Sequence, residues 1–358
     1  MSLEDLFQRP QFSLPQLQKE ALLLSELKQL DRLHRERCEE YFRLSSIMFH
    51  GVENFGALSD LPFLPVGLFK THSLASVPKE DVFRVLMSSG TTGQVPSKIV
   101  LDRETAQLQT LALSRIMTHV LGPQRLPMIL VEQPDLIKDR TSFGARAAGL
   151  IGMMNFGREH FFALDSDLNL RLPELQDFLA RHGNRPFLIF GFTFLIWSRF
   201  YEQLRETVID LSHGILVHGG GWKKLQDQAV SATDFRRMLE ESTGLKKIYN
   251  FYGMVEQVGS IFLEGEDGYL YPPNFADVII RDPNTLDELP PGEIGAIQVV
   301  SALPRSYPGH SLLTEDLGVI HAIDSSSCGR FGKAFSVMGR IPRAELRGCS
   351  DVIAAQVN

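Results

Sequence analysis

Leu17, Leu22, Leu23, Leu24, Leu27 and Leu30 recur three and four residues apart, and Leu33, Tyr41, Phe42 and Leu44 follow, so residues near 14–50 are predicted to be helical. Cys38 falls inside this stretch and reads as a packing residue. The period then disappears. Residues 61–70 carry two prolines and no helical spacing, which predicts an extended connection. Further on, short apolar runs alternate with longer helical stretches. Strands are predicted at 82–87, 99–101, 128–132, 186–191, 215–218 and 247–249, and helices at 104–120, 142–152, 170–181 and 192–208. The 142–152 stretch is rich in small residues, as suits a helix packed closely on a sheet, and the polar stretch 223–229 is also read as helical. Alternation of this kind predicts a parallel or mixed α/β sheet covered on both faces. Between 277 and 300 the pattern changes to strands with turns at Asp282-Pro283-Asn284 and Pro290-Pro291-Gly292, a hairpin-type sheet.

Composition narrows the class. With 44% hydrophobic and 22% charged residues over 358 positions, the chain has the makeup of a globular protein with a large core. The formal charge of -7 argues against a nucleic-acid binder, for which a basic face is the first sign. Cys38, Cys328 and Cys349 form no spaced framework, and their odd number suits free thiols in a reducing cytoplasm. No apolar run is long enough to span a bilayer, and the acidic start is unlike a signal peptide, so the expected location is the cytoplasm.

Chemistry concentrates between the strands at 82–87 and 99–101. Eight of the eleven residues from Ser88 to Lys98 are Ser, Thr, Gly or Lys. Gly90 and Gly93 let backbone approach a ligand, while Ser88, Ser89, Thr91, Thr92 and the peptide N–H groups offer donors in a concave nest, with Lys98 adding a cation. Phosphate oxygens, with several acceptors and a spread negative charge, call for this combination. No Gly-Lys-Ser/Thr opens a helix, so this is not a Walker loop. A second glycine run, His218-Gly219-Gly220-Gly221-Trp222, follows an apolar strand, where open α/β sheets bind flat ligands. His213 and His218 are candidate acids or bases, though lone histidines more often serve hydrogen bonding in the fold. Trp197, Phe192, Phe194 and Phe200 offer an apolar lining for an acyl chain, against which stands the commoner fate of an aromatic stripe as core.

The stretch 88–98 resembles the phosphate loop of the adenylate-forming superfamily, Ser/Thr-Ser-Gly-Thr-Thr-Gly-x-Pro-Lys, with one extra residue, Ser97, between Pro96 and Lys98. Further landmarks of that superfamily follow in order. Gly220-Gly221 matches its adenine-meeting element, and Tyr252-Gly253-Met254-Val255-Glu256 its Tyr-Gly-x-Thr-Glu motif, with Val255 for threonine. Gly292-Glu293-Ile294-Gly295 and Thr314-Glu315-Asp316-Leu317-Gly318 come next, the latter with Glu315 for glycine, and then a hinge-like Gly339-Arg340. The resemblance implies that Tyr252 stacks on the base beside Gly220, Gly221, Trp222 and Gly253, and that Glu256 holds Mg²⁺ bridging ATP phosphates, with Lys98 and Glu256 serving catalysis. It further implies that Asp316 and Arg340 meet the ribose.

Such enzymes continue for about another domain after the hinge, whereas this sequence stops at Asn358, after Arg347-Gly348-Cys349. A thiolate at Cys349, favoured by Arg340, Arg343 and Arg347, is a fitting nucleophile for an acyl adenylate. Length, the Gly-Gly-Trp element and this terminal cysteine make the chain similar to acyl-protein synthetases (LuxE-like), the long-chain-fatty-acid protein ligases. The expectations that follow are an α/β adenylate-forming large domain over 1–338, helical at about 1–60 and β-rich at about 277–338, and a hinge and shortened tail over 339–358 carrying Cys349 as acyl acceptor. ATP and Mg²⁺ are the expected cofactors, a fatty acid the substrate, and an acyl reductase subunit the expected partner. Two other readings of the same residues are a carboxylate-CoA ligase close to phenylacetate-CoA ligases and a non-catalytic scaffold of the same fold, which Val255 and Glu315 keep open.

Overall fold

The computed structural model describes residues 3–49, 55–88, 95–137, 145–222 and 229–341. Two compact units divide them. The first takes residues 1–116, 254–262 and 269–358, and the second 117–253 and 263–268. In chain order the strands are β1 (Leu64–Pro65), β2 (Arg84–Met87), β3 (Lys98–Leu101), β4 (Leu126–Val131), β5 (Gly157–Phe162), β6 (Phe187–Phe192) and β7 (Gly214–Gly219). They continue with β8 (Lys247–Tyr252), β9 (Phe262–Glu264), β10 (Leu270–Tyr271), β11 (Ala276–Arg281), β12 (Gly295–Ser301), β13 (Ser311–Ile323) and β14 (Lys333–Arg340).

In the second unit β5, β4, β6, β7 and β8 lie side by side and parallel. The apolar runs of β4, β6 and β7 are buried along almost their whole length, as parallel strands covered on both faces must be. Their carboxyl ends, at Val131, Phe192, Gly219 and Tyr252, therefore share one edge. The core below combines Ile129, Val131, Ile189, Leu216 and Ile248 with Trp197, Phe200 and Phe235 from the helices. Trp197 and Phe200 are thus core residues, while Phe194 is packed against that core from its rim. The stretch predicted as one helix at 192–208 is instead a turn of α-helix (Thr193–Leu195), a π-helical segment (Ile196–Tyr201) and a further α turn (Glu202–Leu204). Periodicity could not reveal that widening, because apolar residues occupy most positions of the segment.

The first unit is β-rich and antiparallel where β11, β12, β13 and β14 pair in sequence. β2 and β3 form a separate two-stranded hairpin. The helical stretch predicted near 14–50 is two helices, Gln16–Arg37 and Glu39–Met48, broken at Cys38, whose backbone is extended and whose side chain is buried. Leu17 and Phe42 face outward, so the apolar stripe is less regular than the leucine spacing implied. Gln16 and Lys19 of the first helix reach the buried Asp277 of β11, with Gln16 Nε2 donating at 2.5 Å and Lys19 Nζ at 3.3 Å. A short helix, Leu68–Thr71, follows β1, which pairs in parallel with β13. Among the described residues, no helix is long and apolar enough to cross a membrane.

Candidate functional site

Each unit carries its own share of the candidate residues. In the first, β2 and β3 pair from Arg84 opposite Leu101 to Met87 opposite Lys98. Ser88 and Ser97 extend the ladder by one rung: Ser88 N donates to Ser97 O at 3.1 Å, and Ser97 N donates to Ser88 Oγ at 2.8 Å. Ser88 thus closes the base of the glycine-rich loop through its hydroxyl. Ser89, Gly90, Thr91, Thr92 and Gly93 lie outside the described residues. The alternation of a strand sends successive side chains to opposite faces, so Ser97 and Ile99 are buried while Lys98 between them is exposed.

Glu256 sits in a single 3₁₀ turn, Val255–Gln257, and is only 7% exposed. The turn is anchored by Gln257, whose Nε2 donates to Val299 O at 3.2 Å and Gly309 O at 2.9 Å. Burial pushes the Glu256 carboxyl above the ordinary glutamate range. The Ser97 hydroxyl, its own backbone N–H and Lys70 pull the other way, and the charge of Glu315 adds to the rise. The Tyr307 ring and the Glu256 carbonyl both border Gly309, and burial, then the Glu256 charge, push the Tyr307 phenol upward. Asp316 and Arg340 are direct cross-strand partners on β13 and β14, with Arg340 Nε 4.0 Å from Asp316 Oδ1 and Arg340 largely exposed. Thr314 Oγ1 accepts from Asp316 N at 3.1 Å and fixes that corner.

The donor set suits Mg²⁺ better than a metal held by a full protein cage. Among the described residues, no group of three or more His, Cys, Asp or Glu side chains gathers. One or two hard carboxylate oxygens, completed by water and phosphate, are the usual Mg²⁺ arrangement.

In the second unit β7 and β8 are adjacent, with Gly219 opposite Phe251. Gly220 turns the chain with φ +78°, a conformation that favours glycine, and Gly221 is exposed with open space where a Cβ would stand. Trp222 meets Trp197 edge-on at 5.4 Å. Tyr252 is half-buried at the end of β8 and Gly253 is exposed beside it. His218 Nδ1 and Thr193 Oγ1 share a hydrogen bond of 3.0 Å. Burial, with Arg236 near, takes the His218 imidazole down to about 3, so it is a neutral hydrogen-bonding residue and His213 a surface one. The same edge holds a buried carboxylate that sequence reasoning missed. Glu132, directly after β4, accepts from Arg146 Nε and Nη2 at 2.6 Å each, and Arg146 lies over the Phe194 ring at 5.5 Å. An acid ending an apolar run, as in Met128 to Glu132, is the signal that could have found it.

This architecture is shared with ligases that form acyl adenylates. The chain superposes on 2-hydroxyisobutyryl-CoA ligase in an open conformation with 2-HIB-AMP and CoA, with a TM-score of 0.69 and 19% identity over 92% of this chain and 77% of that one. The postadenylation state of the same ligase with 2-HIB-AMP gives 0.70 at 18% identity, covering 92% of this chain and 69% of that one. The fold is therefore the mixed α/β fold of adenylate-forming ligases.

Within that class the chain belongs to the acyl-protein synthetase (LuxE) family, whose model matches residues 3–358. It is 27% identical over 297 residues to the long-chain-fatty-acid–luciferin-component ligase of Aliivibrio fischeri, covering 81% of this chain and 77% of that protein. The protein of the same description from Vibrio harveyi is 23% identical over 299 residues, at 82% and 77% coverage.

Proposed function

We propose that this chain is an acid–thiol ligase that activates a long-chain fatty acid with ATP and captures the acyl group on Cys349 for transfer to a reductase partner in the cytoplasm. In the first step a carboxylate oxygen attacks the α-phosphorus of ATP, the bond to the β-phosphate bridging oxygen breaks, and pyrophosphate leaves with the electron pair. In the second the Cys349 thiolate attacks the acyl carbonyl and AMP departs. Cys349 lies outside the described residues, and its role rests on the family match and on the sequence.

In this reading residues 1–338 are the adenylate-forming part and 339–358 a hinge and tail. Ser88, Ser89, Gly90, Thr91, Thr92, Gly93 and Lys98 hold phosphates. Gly220, Gly221, Trp222, Tyr252 and Gly253 face the adenine, and Asp316 with Arg340 the ribose. Glu256 would hold Mg²⁺, which neutralises phosphate charge when bound. The observation that carries the reading is Glu256 itself, a carboxylate buried at 7% exposure beside Ser97, which pairs with Ser88 at the base of the glycine-rich loop. Burial of an acid against its solvation preference is costly, and a cation bound there would offset that cost.

The test is exchange of labelled pyrophosphate into ATP across a panel of fatty acids. Exchange that depends on a long-chain acid, and that falls by about 10²-fold or more in E256Q, supports the proposal. Absence of exchange with every acid overturns it, and steady CoA thioester formation by C349A points to a CoA ligase instead.

A further inference from the structure

Strand alternation leaves an electrostatic question beside Glu256. Lys98, the cation next to the glycine-rich loop, stands on the exposed side of β3, while the inward position is taken by the uncharged Ser97. Ser97 adjoins Glu256, and Glu315 contributes a second negative charge there. The inner side thus carries two carboxylates and no cation from the hairpin.

One lysine supplies a positive charge on that side. Lys70 lies in the short helix Leu68–Thr71, whose position is fixed from three directions. Val66 N donates to Leu313 O at 2.9 Å, which ties the segment to β13 just before Glu315. Gly67 approaches Glu315 closely enough that a Cβ there would be 3.8 Å from its Oε1. Phe69 is 1% exposed and meets the Tyr307 ring edge-on at 6.0 Å, and the Tyr307 ring and the Glu256 carbonyl both border Gly309. Lys70 itself is half-buried and joins none of the ion pairs among the described residues. A cation held near the Glu256 carboxylate, and in no ion pair among the described residues, remains available to a further anionic partner.

We propose that Lys70 is a further catalytic residue of the adenylation step, its ammonium reaching the ATP phosphates from the inner side of the β2–β3 hairpin while Lys98 stands on the outer side. The proposal rests on the adenylation reading given above. Lys70 takes no part in the bond changes. Its task is to stabilise the negative charge that grows on the phosphoryl oxygens as the carboxylate adds and pyrophosphate leaves. The four-carbon stem and three rotatable donors of lysine suit a group that follows a moving charge.

The experiment compares wild type, K70A and K70R by three readouts: MgATP affinity by calorimetry without fatty acid, fatty-acid-dependent pyrophosphate exchange, and thermal melting. K70A is expected to melt as wild type does, to bind MgATP about tenfold more weakly, and to lose about 10²-fold in exchange turnover with the fatty acid KM nearly unchanged. K70R, which restores the charge, is expected to recover part of both the affinity and the turnover. Wild-type affinity and turnover in K70A would overturn the assignment of Lys70 alone. Absence of MgATP binding and of exchange in the wild-type protein would overturn the adenylation reading, and Lys70 with it. If K70A melts early, K70R decides: wild-type melting with partial turnover supports the proposal, and the same losses as K70A despite wild-type melting contradict it.

Discussion

Asp277 offers a sharp test of how the first unit is held together. Its side chain is fully buried on β11, with Lys19 Nζ at 3.3 Å, Lys333 Nζ at 3.6 Å, Gln16 Nε2 at 2.5 Å and Val278 N at 2.8 Å. Burial pushes its carboxyl up, but Lys19, Lys333 and these hydrogen bonds together hold it below the usual aspartate value. Lys19 is equally buried, and burial takes its ammonium down from the usual value while Asp277 opposes the fall. The substitution D277N keeps the shape and removes the charge, which leaves two buried ammonium groups facing each other without their shared anion. Breaking a buried pair from one side costs about 3–5 kcal/mol, a large part of the 5–15 kcal/mol or so that stabilises a typical protein. At roughly 2–4 °C per kcal/mol the melting temperature should fall by about 6–20 °C. In a double-mutant cycle K19M should cost less on the D277N background than on wild type, because the lost interaction is counted once. Scanning calorimetry and urea titration followed by circular dichroism measure both effects. A D277N protein within about 1 kcal/mol of wild type would refute the claim that this aspartate ties the first helix to the sheet.

Acid should weaken the fold through buried imidazoles. Burial takes His218 and His310 down to about 3, and His34 well below its ordinary value. Since only the unfolded chain takes up these protons, the stability they carry is complete above about pH 6.5 and is lost as the pH falls from there toward 3, at about 1.4 kcal/mol per unit for each group. Urea midpoints at pH 7, 6 and 5 should show this slope, H310Q should reduce it by about one proton, and an unchanged slope in H310Q would count against the assignment. At Gly219 an added Cβ would stand 2.6 Å from the Phe251 ring, which is stacked on Phe190, so G219A should cost about 1–3 kcal/mol by overpacking. G221A, where the space is open, should melt with the wild type; equal melting of both variants would contradict the packing argument.

The parallel strands of the second unit were legible because each is a short apolar run bounded by turn residues, and 128–132, 186–191 and 215–218 each match an observed strand to within two residues. β5 was missed because Arg158, Glu159 and His160 interrupt any apolar pattern, which an edge strand paired only with β4 tolerates. The helix Ala232–Thr243 also escaped, although Ser231 accepts from Asp234 N as an N-cap and Gly244 ends it in a left-handed turn. Its buried face is only Phe235, Leu239 and Thr243, too sparse to stand out. In the candidate site, residues adjacent in sequence were readable as motifs. Lys70, Ser97, Glu256 and Glu315 were not readable as a group, since the pairing of β1 with β13 and the alternation of β3 bring them together, and neither leaves a local trace.

The proposed function turns on the capture of an activated acyl group by sulfur. The most direct measurement incubates the full chain with ATP, Mg²⁺ and a labelled long-chain fatty acid, then maps the label by mass spectrometry before and after hydroxylamine. An ATP-dependent, hydroxylamine-labile acyl group is expected on Cys349 and is expected to be absent from C349A. A chain that takes up no label, or that carries it on another residue and keeps it in C349A, would contradict it.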